Sequence, residues 1–82
     1  MTMWTVYILK SISTGKFYIG CTSDLNRRLD EHNAGRNLST KSRRPWSLVY
    51  SETFAEQDPA YAREKQIKSY KGGNAFRSLL NK

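Results

Sequence analysis

Five side chains in this 82-residue sequence are of the types that phosphodiester hydrolysis requires: Tyr7, Tyr18, Arg28, His32 and Glu64. A guanidinium offers a fixed fork of donors to a phosphate whose charge grows in the transition state. An attacking water must be oriented and must lose a proton, to a histidine or to a tyrosine of lowered pKa. Free tyrosine titrates near ~10, so a tyrosine base needs positive charge beside it, and Arg28 or a bound metal would supply that. A single carboxylate is enough to hold Mg²⁺ when water completes the coordination shell. Together these residue types fit one reaction, provided the chain folds so that they meet.

The elements that must position them follow from the local pattern. Trp4 to Leu9 is β-branched and aromatic, which predicts a strand, and Phe17 to Cys21 predicts a second. The short loop between them contains Gly15, so the pair reads as an antiparallel hairpin that carries Tyr7 and Tyr18. Gly20 lies in or at the end of the second strand, where missing bulk often marks a close approach to the backbone. A helix is expected from Asp24 to Ala34, capped by Thr22 or Ser23 and stopped by Gly35. Leu25 and Leu29 define its inward face, with Arg28 and His32 one turn apart at the edge of that stripe.

The segment Arg36 to Pro45 reads as a polar loop, basic at Arg36, Lys41, Arg43 and Arg44. Trp46 to Phe54 predicts the third strand. Asp58 and Pro59 read as N-cap and first residue of a second helix ending at Tyr70 or Lys71, before Gly72 and Gly73. Asn74 is expected to cap a last short helix carrying Phe76, Leu79 and Leu80. On the second helix Ala60, Glu64 and Ile67 follow an i, i+4, i+7 stripe, with Arg63, Lys65 and Lys68 on the solvated sides. A carboxylate on such a stripe needs a metal, an arginine or a hydrogen-bond donor.

Length and composition bound the remaining choices. The chain suits one domain spanning residues 1–82, with ten aromatic residues to bury. Lys and Arg number 14 against 7 acids, so 14 − 7 gives the net charge of +7 and points to an anionic partner. No apolar run approaches the ~18 residues of a membrane span, and Met1 to Ser13 lacks the pattern of a signal peptide. With one Cys and one His, an internal disulfide is impossible and a common zinc site is excluded. A cytoplasmic location is therefore expected.

Each candidate also has a plain structural reading. Tyrosines on strands are commonly core aromatics, an arginine can lay its stem along a leucine, and a histidine near a helix C-terminus is favourable as a cation. Cys21 reads as a small strand residue. Their order in the chain is more specific. Val6-Tyr7-Ile8, then Tyr18-Ile19-Gly20, then Asp24-Leu25-x-x-Arg28-Leu29-x-x-His32, resembles the GIY-YIG nuclease family. The later Arg63-Glu64-Lys65-Gln66-Ile67-Lys68 is similar to the helix that carries that family's metal-binding glutamate. The likeness runs from Thr5 to about Leu80 and is closest to small single-domain members, similar to the nuclease module of the nucleotide-excision-repair incision subunit. Val6 departs from the first motif's glycine. The asparagine that many members place after the glutamate helix has two possible matches, Asn74 and Asn81.

The resemblance implies an α+β fold with a three-stranded antiparallel sheet flanked by helices. It implies a metal-dependent DNA endonuclease, structure-directed or weakly sequence-specific, of the kind used in DNA repair. Tyr7 and Tyr18 would orient or activate water, Arg28 would stabilise the phosphate, and His32 would assist proton transfer or touch the phosphate. Glu64 would hold one Mg²⁺ or Mn²⁺. The loop residues Arg36, Lys41, Arg43 and Arg44 would then clamp the DNA backbone. A second basic group, Arg63, Lys65, Lys68, Lys71, Arg77 and Lys82, would extend that surface. The alternatives are a non-catalytic nucleic-acid-binding module on the same scaffold, and a subunit that a protein partner directs to its target.

Overall fold

Thr5 through Leu9 are all buried, as a strand must be when both of its faces are covered. They belong to β1 (Trp4–Ser11), the centre of a three-stranded sheet. In this computed structural model, which describes residues 2–81, β1 pairs antiparallel on one side with β2 (Phe17–Thr22) and on the other with β3 (Trp46–Phe54). The sheet order is β2-β1-β3. The expected hairpin and third strand are present, and the α+β class with them.

Four helices cover the two faces: α1 (Leu25–Asn33), α2 (Leu38–Lys41), α3 (Gln57–Ser69) and α4 (Asn74–Leu80). Alternation along β1 sends Val6 and Ile8 to one face. There they meet Ala60 and Ile67 of α3 and Phe76 and Leu79 of α4 in a buried apolar cluster. Each large aliphatic side chain buried this way contributes roughly 1.5–3 kcal/mol. Tyr7 and Leu9 face the other way, against Trp46, Tyr18, Leu25 and Leu29. His32 of α1 and Thr40 of α2 are also wholly buried.

Several helix boundaries differ from expectation. Asp24 is itself the cap of α1: its carboxylate accepts from the Arg27 amide at 3.2 Å, while Thr22 Oγ1 accepts from the Asp24 amide at 3.1 Å. Gly35 ends the turn with φ +78°, a conformation that other residues adopt at a cost. α3 begins two residues before Pro59, which therefore sits inside the first turn, where its missing N–H is tolerated, and Asp58 provides the first-turn acid. Gly73 precedes α4, and Asn74 is its first residue. The largest difference is α2, a helical turn inside the segment expected to be loop. Asn37 caps it, accepting from the Ser39 amide at 3.0 Å.

Candidate active site

Tyr7 stands directly opposite Gly20 in the β1–β2 register. A Cβ at position 20 would overlap the Tyr7 hydroxyl, so glycine is what lets the phenol lie across β2. The Tyr7 hydroxyl is 3.1 Å from His32 Nε2, and the other ring nitrogen, Nδ1, is 2.8 Å from Thr40 Oγ1. Tyr18 packs beside them, its ring centroid 4.8 Å from that of His32 and 6.4 Å from that of Tyr7. Arg28 is close enough for its charge to act on the Tyr7 phenol, and its Nη1 donates to Glu31 Oε1 at 3.3 Å.

Glu64 arrives from the opposite layer. α3 covers the Val6–Ile8 face, yet the charge of Glu64 acts on both Cys21 and Tyr7. The phenol extends over Gly20 of the edge strand β2. Tyr7, Tyr18 and His32 thus form one packed cluster beside Arg28, and Glu64 reaches the phenol through its charge alone. Glu64 is about one-fifth exposed, and its Oε2 accepts from Lys68 Nζ at 2.7 Å. The partner that its place on the stripe required is therefore this lysine, one turn along.

Three expectations about protons and placement need correction. A tyrosine that acts as the base needs a lowered pKa, yet that of Tyr7 is pushed up to about 12. Burial dominates, Tyr18 and Glu64 add to the rise, and Arg28 offsets only part of it. At rest Tyr7 is a neutral phenol. His32 is not at the edge of the α1 stripe either: it is the buried residue of that helix, with no exposed surface. Burial and the neighbouring Arg28 lower its pKa below the ordinary value, with Glu31 opposing weakly, so the ring is neutral near pH 7. Arg63, expected in solvent, instead donates to Glu52 Oε2 at 2.9 Å and ties α3 to β3.

The cleft beside this cluster, about 260 Å³, is lined by Arg28, Arg27, Asp24, Glu31, Cys21 and Trp4. It presents Arg28 to solvent. On the other side of Arg28 a hollow opens toward Arg36 and Leu38. Arg36, Lys41 and Arg44 are exposed and Arg43 is half-buried, so the basic segment flanks the cluster through α2. Arg44 Nε donates to the Lys41 carbonyl at 2.8 Å, which folds this segment over Gly35. Lys65 and Lys68 on α3, Lys71 in the following turn and Arg77 on α4 are exposed; Lys82 lies outside the described residues.

Thr40 was not anticipated as part of the site. The available signal was Asn37 three residues before it, a capping residue that marks a helix start. Of the two asparagines considered, Asn74 opens α4 and Asn81 is its C-cap.

Residues 3–75 match the GIY-YIG catalytic domain. The chain belongs to the GIY-YIG family. This is a nuclease family. UPF0213 proteins of Staphylococcus aureus strains Mu3 and N315 are 44% identical over 66 residues, 79% of this chain and 79% of each relative. The solution NMR structure of a UPF0213 protein from Bacillus halodurans aligns with TM-score 0.61 and 29% identity, over 96% of this chain and 83% of that one.

GIY-YIG nucleases generally use divalent metals. Among the described residues no three His, Cys, Asp or Glu side chains group as a metal cage. The donor set on offer is one half-buried carboxylate beside an open surface. That fits a hard ion of the Mg²⁺ type, which keeps most of its waters and takes one or two protein oxygens. Lys68 holds the carboxylate's charge and would yield it to such an ion.

Proposed function

We propose that this GIY-YIG protein is a divalent-metal-dependent endonuclease acting on DNA, structure-directed or weakly sequence-specific. The observation that supports this reading is the buried hydrogen bond of the Tyr7 hydroxyl to His32, with Tyr18 packed beside both rings and Arg28 lining the adjacent cleft. In the reaction a water oxygen bonds to phosphorus and one P–O ester bond breaks. Water gives a proton to the Tyr7 oxygen as Tyr7 gives its own to His32 Nε2. The net base is then His32, and Tyr7 relays the proton without resting as a phenolate, which agrees with its raised pKa. The leaving oxygen takes a proton from solvent.

Arg28 faces the cleft and stabilises the charge that gathers on the phosphoryl oxygens. Tyr18 packs the other side of the His32 ring and holds it in line. Glu64 would hold Mg²⁺ or Mn²⁺, which when bound supplies Lewis-acid stabilisation of the same oxygens. Arg36, Lys41, Arg43 and Arg44 grip the backbone, so affinity falls steeply with salt.

The test is cleavage of supercoiled, branched and single-stranded DNA in Mg²⁺, in Mn²⁺ and in EDTA. The parent should cut only with metal. Arg28→Ala and Glu64→Ala should each lose cleavage by about 10²–10³-fold or more while retaining DNA binding. Binding without cleavage under every metal condition would assign the chain to the non-catalytic module instead.

A further inference from the structure

Thr40 is wholly buried, comes from the short α2 turn, and places its hydroxyl on the His32 ring nitrogen that faces away from Tyr7. We infer that Thr40 is a positioning residue that selects the tautomer of His32, leaving Nε2 free to take the Tyr7 proton. This rests on the nuclease reading for its consequence, but not for the hydrogen-bond order itself.

The order follows from counting protons. Arg28 can take no proton, so His32 Nε2 is the acceptor in reach of the buried Tyr7 hydroxyl. The phenolic proton is then directed to His32 Nε2 at 3.1 Å, which must be bare. A neutral ring with a bare Nε2 carries its hydrogen on Nδ1, and that hydrogen points to Thr40 Oγ1 at 2.8 Å. Thr40 accepts it and sends its own hydroxyl proton to the Asn37 carbonyl at 3.3 Å, an oxygen that can only accept. Every proton is used once. The opposite tautomer would have Nε2–H donating to the Tyr7 oxygen. The proton of that phenol, 1% exposed, would then have no acceptor in the cluster.

α2 is fixed well enough to impose this choice. The Thr40 carbonyl accepts from Trp46 Nε1 at 2.9 Å, and the Arg43 carbonyl accepts from Ser11 Oγ at 2.7 Å. The Arg43 amide closes the turn on the Thr40 carbonyl at 3.2 Å. The same few residues therefore present the basic side chains outward and hold the catalytic imidazole inward. Histidine function commonly depends on what the second ring nitrogen is bonded to.

His32 is the single histidine of the chain, so its ring nitrogens can be read directly by long-range ¹H–¹⁵N NMR of the histidine-labelled protein. The wild type should show a protonated Nδ1 and a bare Nε2 near pH 7. Thr40→Val keeps the shape and removes the acceptor. It should move the proton to Nε2 and lower kcat at least tenfold with KM unchanged. Thr40→Ser should restore both the signature and the rate.

A wild-type ring carrying its proton on Nε2 overturns the inference, whatever the variants do. So does a Thr40→Val protein that keeps the proton on Nδ1, or one that switches tautomer and cuts at the wild-type rate. If Thr40→Val does not fold, Thr40→Ala and the wild-type spectrum decide the same question. A wild type that cuts no DNA would defeat the nuclease reading alone, since the spectrum still decides the proton order.

Discussion

On one side of β1, Val6 and Ile8 meet Ala60, Ile67, Phe76 and Leu79, and the contact is apolar throughout. On the other side Tyr7 meets His32 and, through it, Thr40, all fully or almost fully buried. The same strand thus serves two cores of different kinds. The apolar one needs only volume and shape, and many residues would satisfy it. The polar one needs each donor matched to an acceptor, and among the described residues no buried side-chain nitrogen or oxygen lacks a partner. Buried polar groups of this sort are costly when mismatched, and these lie next to a cleft lined by Arg28.

The largest expected effects separate the two cores by what they disturb. Tyr7→Phe keeps the ring across Gly20 and removes only the hydroxyl. It should lower kcat for DNA cleavage by about 10²–10⁴-fold, the scale of a lost acid–base group, with little change in DNA affinity. Ile67→Ala empties part of the apolar core and should cost about 2–5 kcal/mol in urea unfolding, while the folded fraction cuts at the parent's rate. If Ile67→Ala instead slowed the folded enzyme as much as Tyr7→Phe, the two faces would not be functionally distinct.

The apolar face was far more legible in the sequence than the polar one. The β-branched and aromatic composition of Trp4–Leu9 and the stripe through Ala60 and Ile67 are local signals that survive without knowledge of partners. The Glu64 stripe was readable for the same reason. His32 was misplaced at a helix edge because spacing shows which side of α1 a residue occupies but not how deep the neighbouring layer reaches. That depth is set by α2 and Trp46, whose indole bonds to Thr40. α2 itself escaped notice because a one-turn helix in a basic, polar stretch has too few residues to show a period. The direction of the Tyr7 shift was missed because Arg28 is visible in sequence and desolvation is not. The family's motif order, rather than any local pattern, is what singled out the candidate residues.

Gly20 lies at the junction of the two faces and offers a smaller, sharper probe. A methyl at this position overlaps the Tyr7 hydroxyl, so Gly20→Ala must push the phenol off His32. The expected cost is about 1–3 kcal/mol, typical of overpacking. Paired with Tyr7→Phe the penalty should shrink, because the clashing oxygen is gone. A double-mutant cycle in chemical denaturation would measure that coupling. Additive effects would mean that the glycine serves the strand rather than the phenol.

The smallest effect expected is on the pH dependence of stability, and it belongs to the polar face alone. The folded protein holds His32 below its ordinary pKa of 6.5, through burial first and Arg28 second. Above that ordinary value both folded and unfolded chains carry a neutral ring, and its contribution to stability is fully present. As pH falls below it the unfolded chain takes the proton first, so stability declines until the folded ring is protonated too. The slope from this one group cannot exceed about 1.4 kcal/mol per pH unit. His32→Gln should remove it, so the stability difference between wild type and variant should narrow as pH falls from about 7 toward 5. Carboxylates titrate in both proteins, and taking the difference removes their share. Ile67→Val, on the apolar face, should keep the wild-type slope. A difference between wild type and His32→Gln that stayed constant over this range would place the imidazole in an exposed setting. That would contradict the buried contacts to Tyr7 and Thr40 on which the contrast between the faces depends.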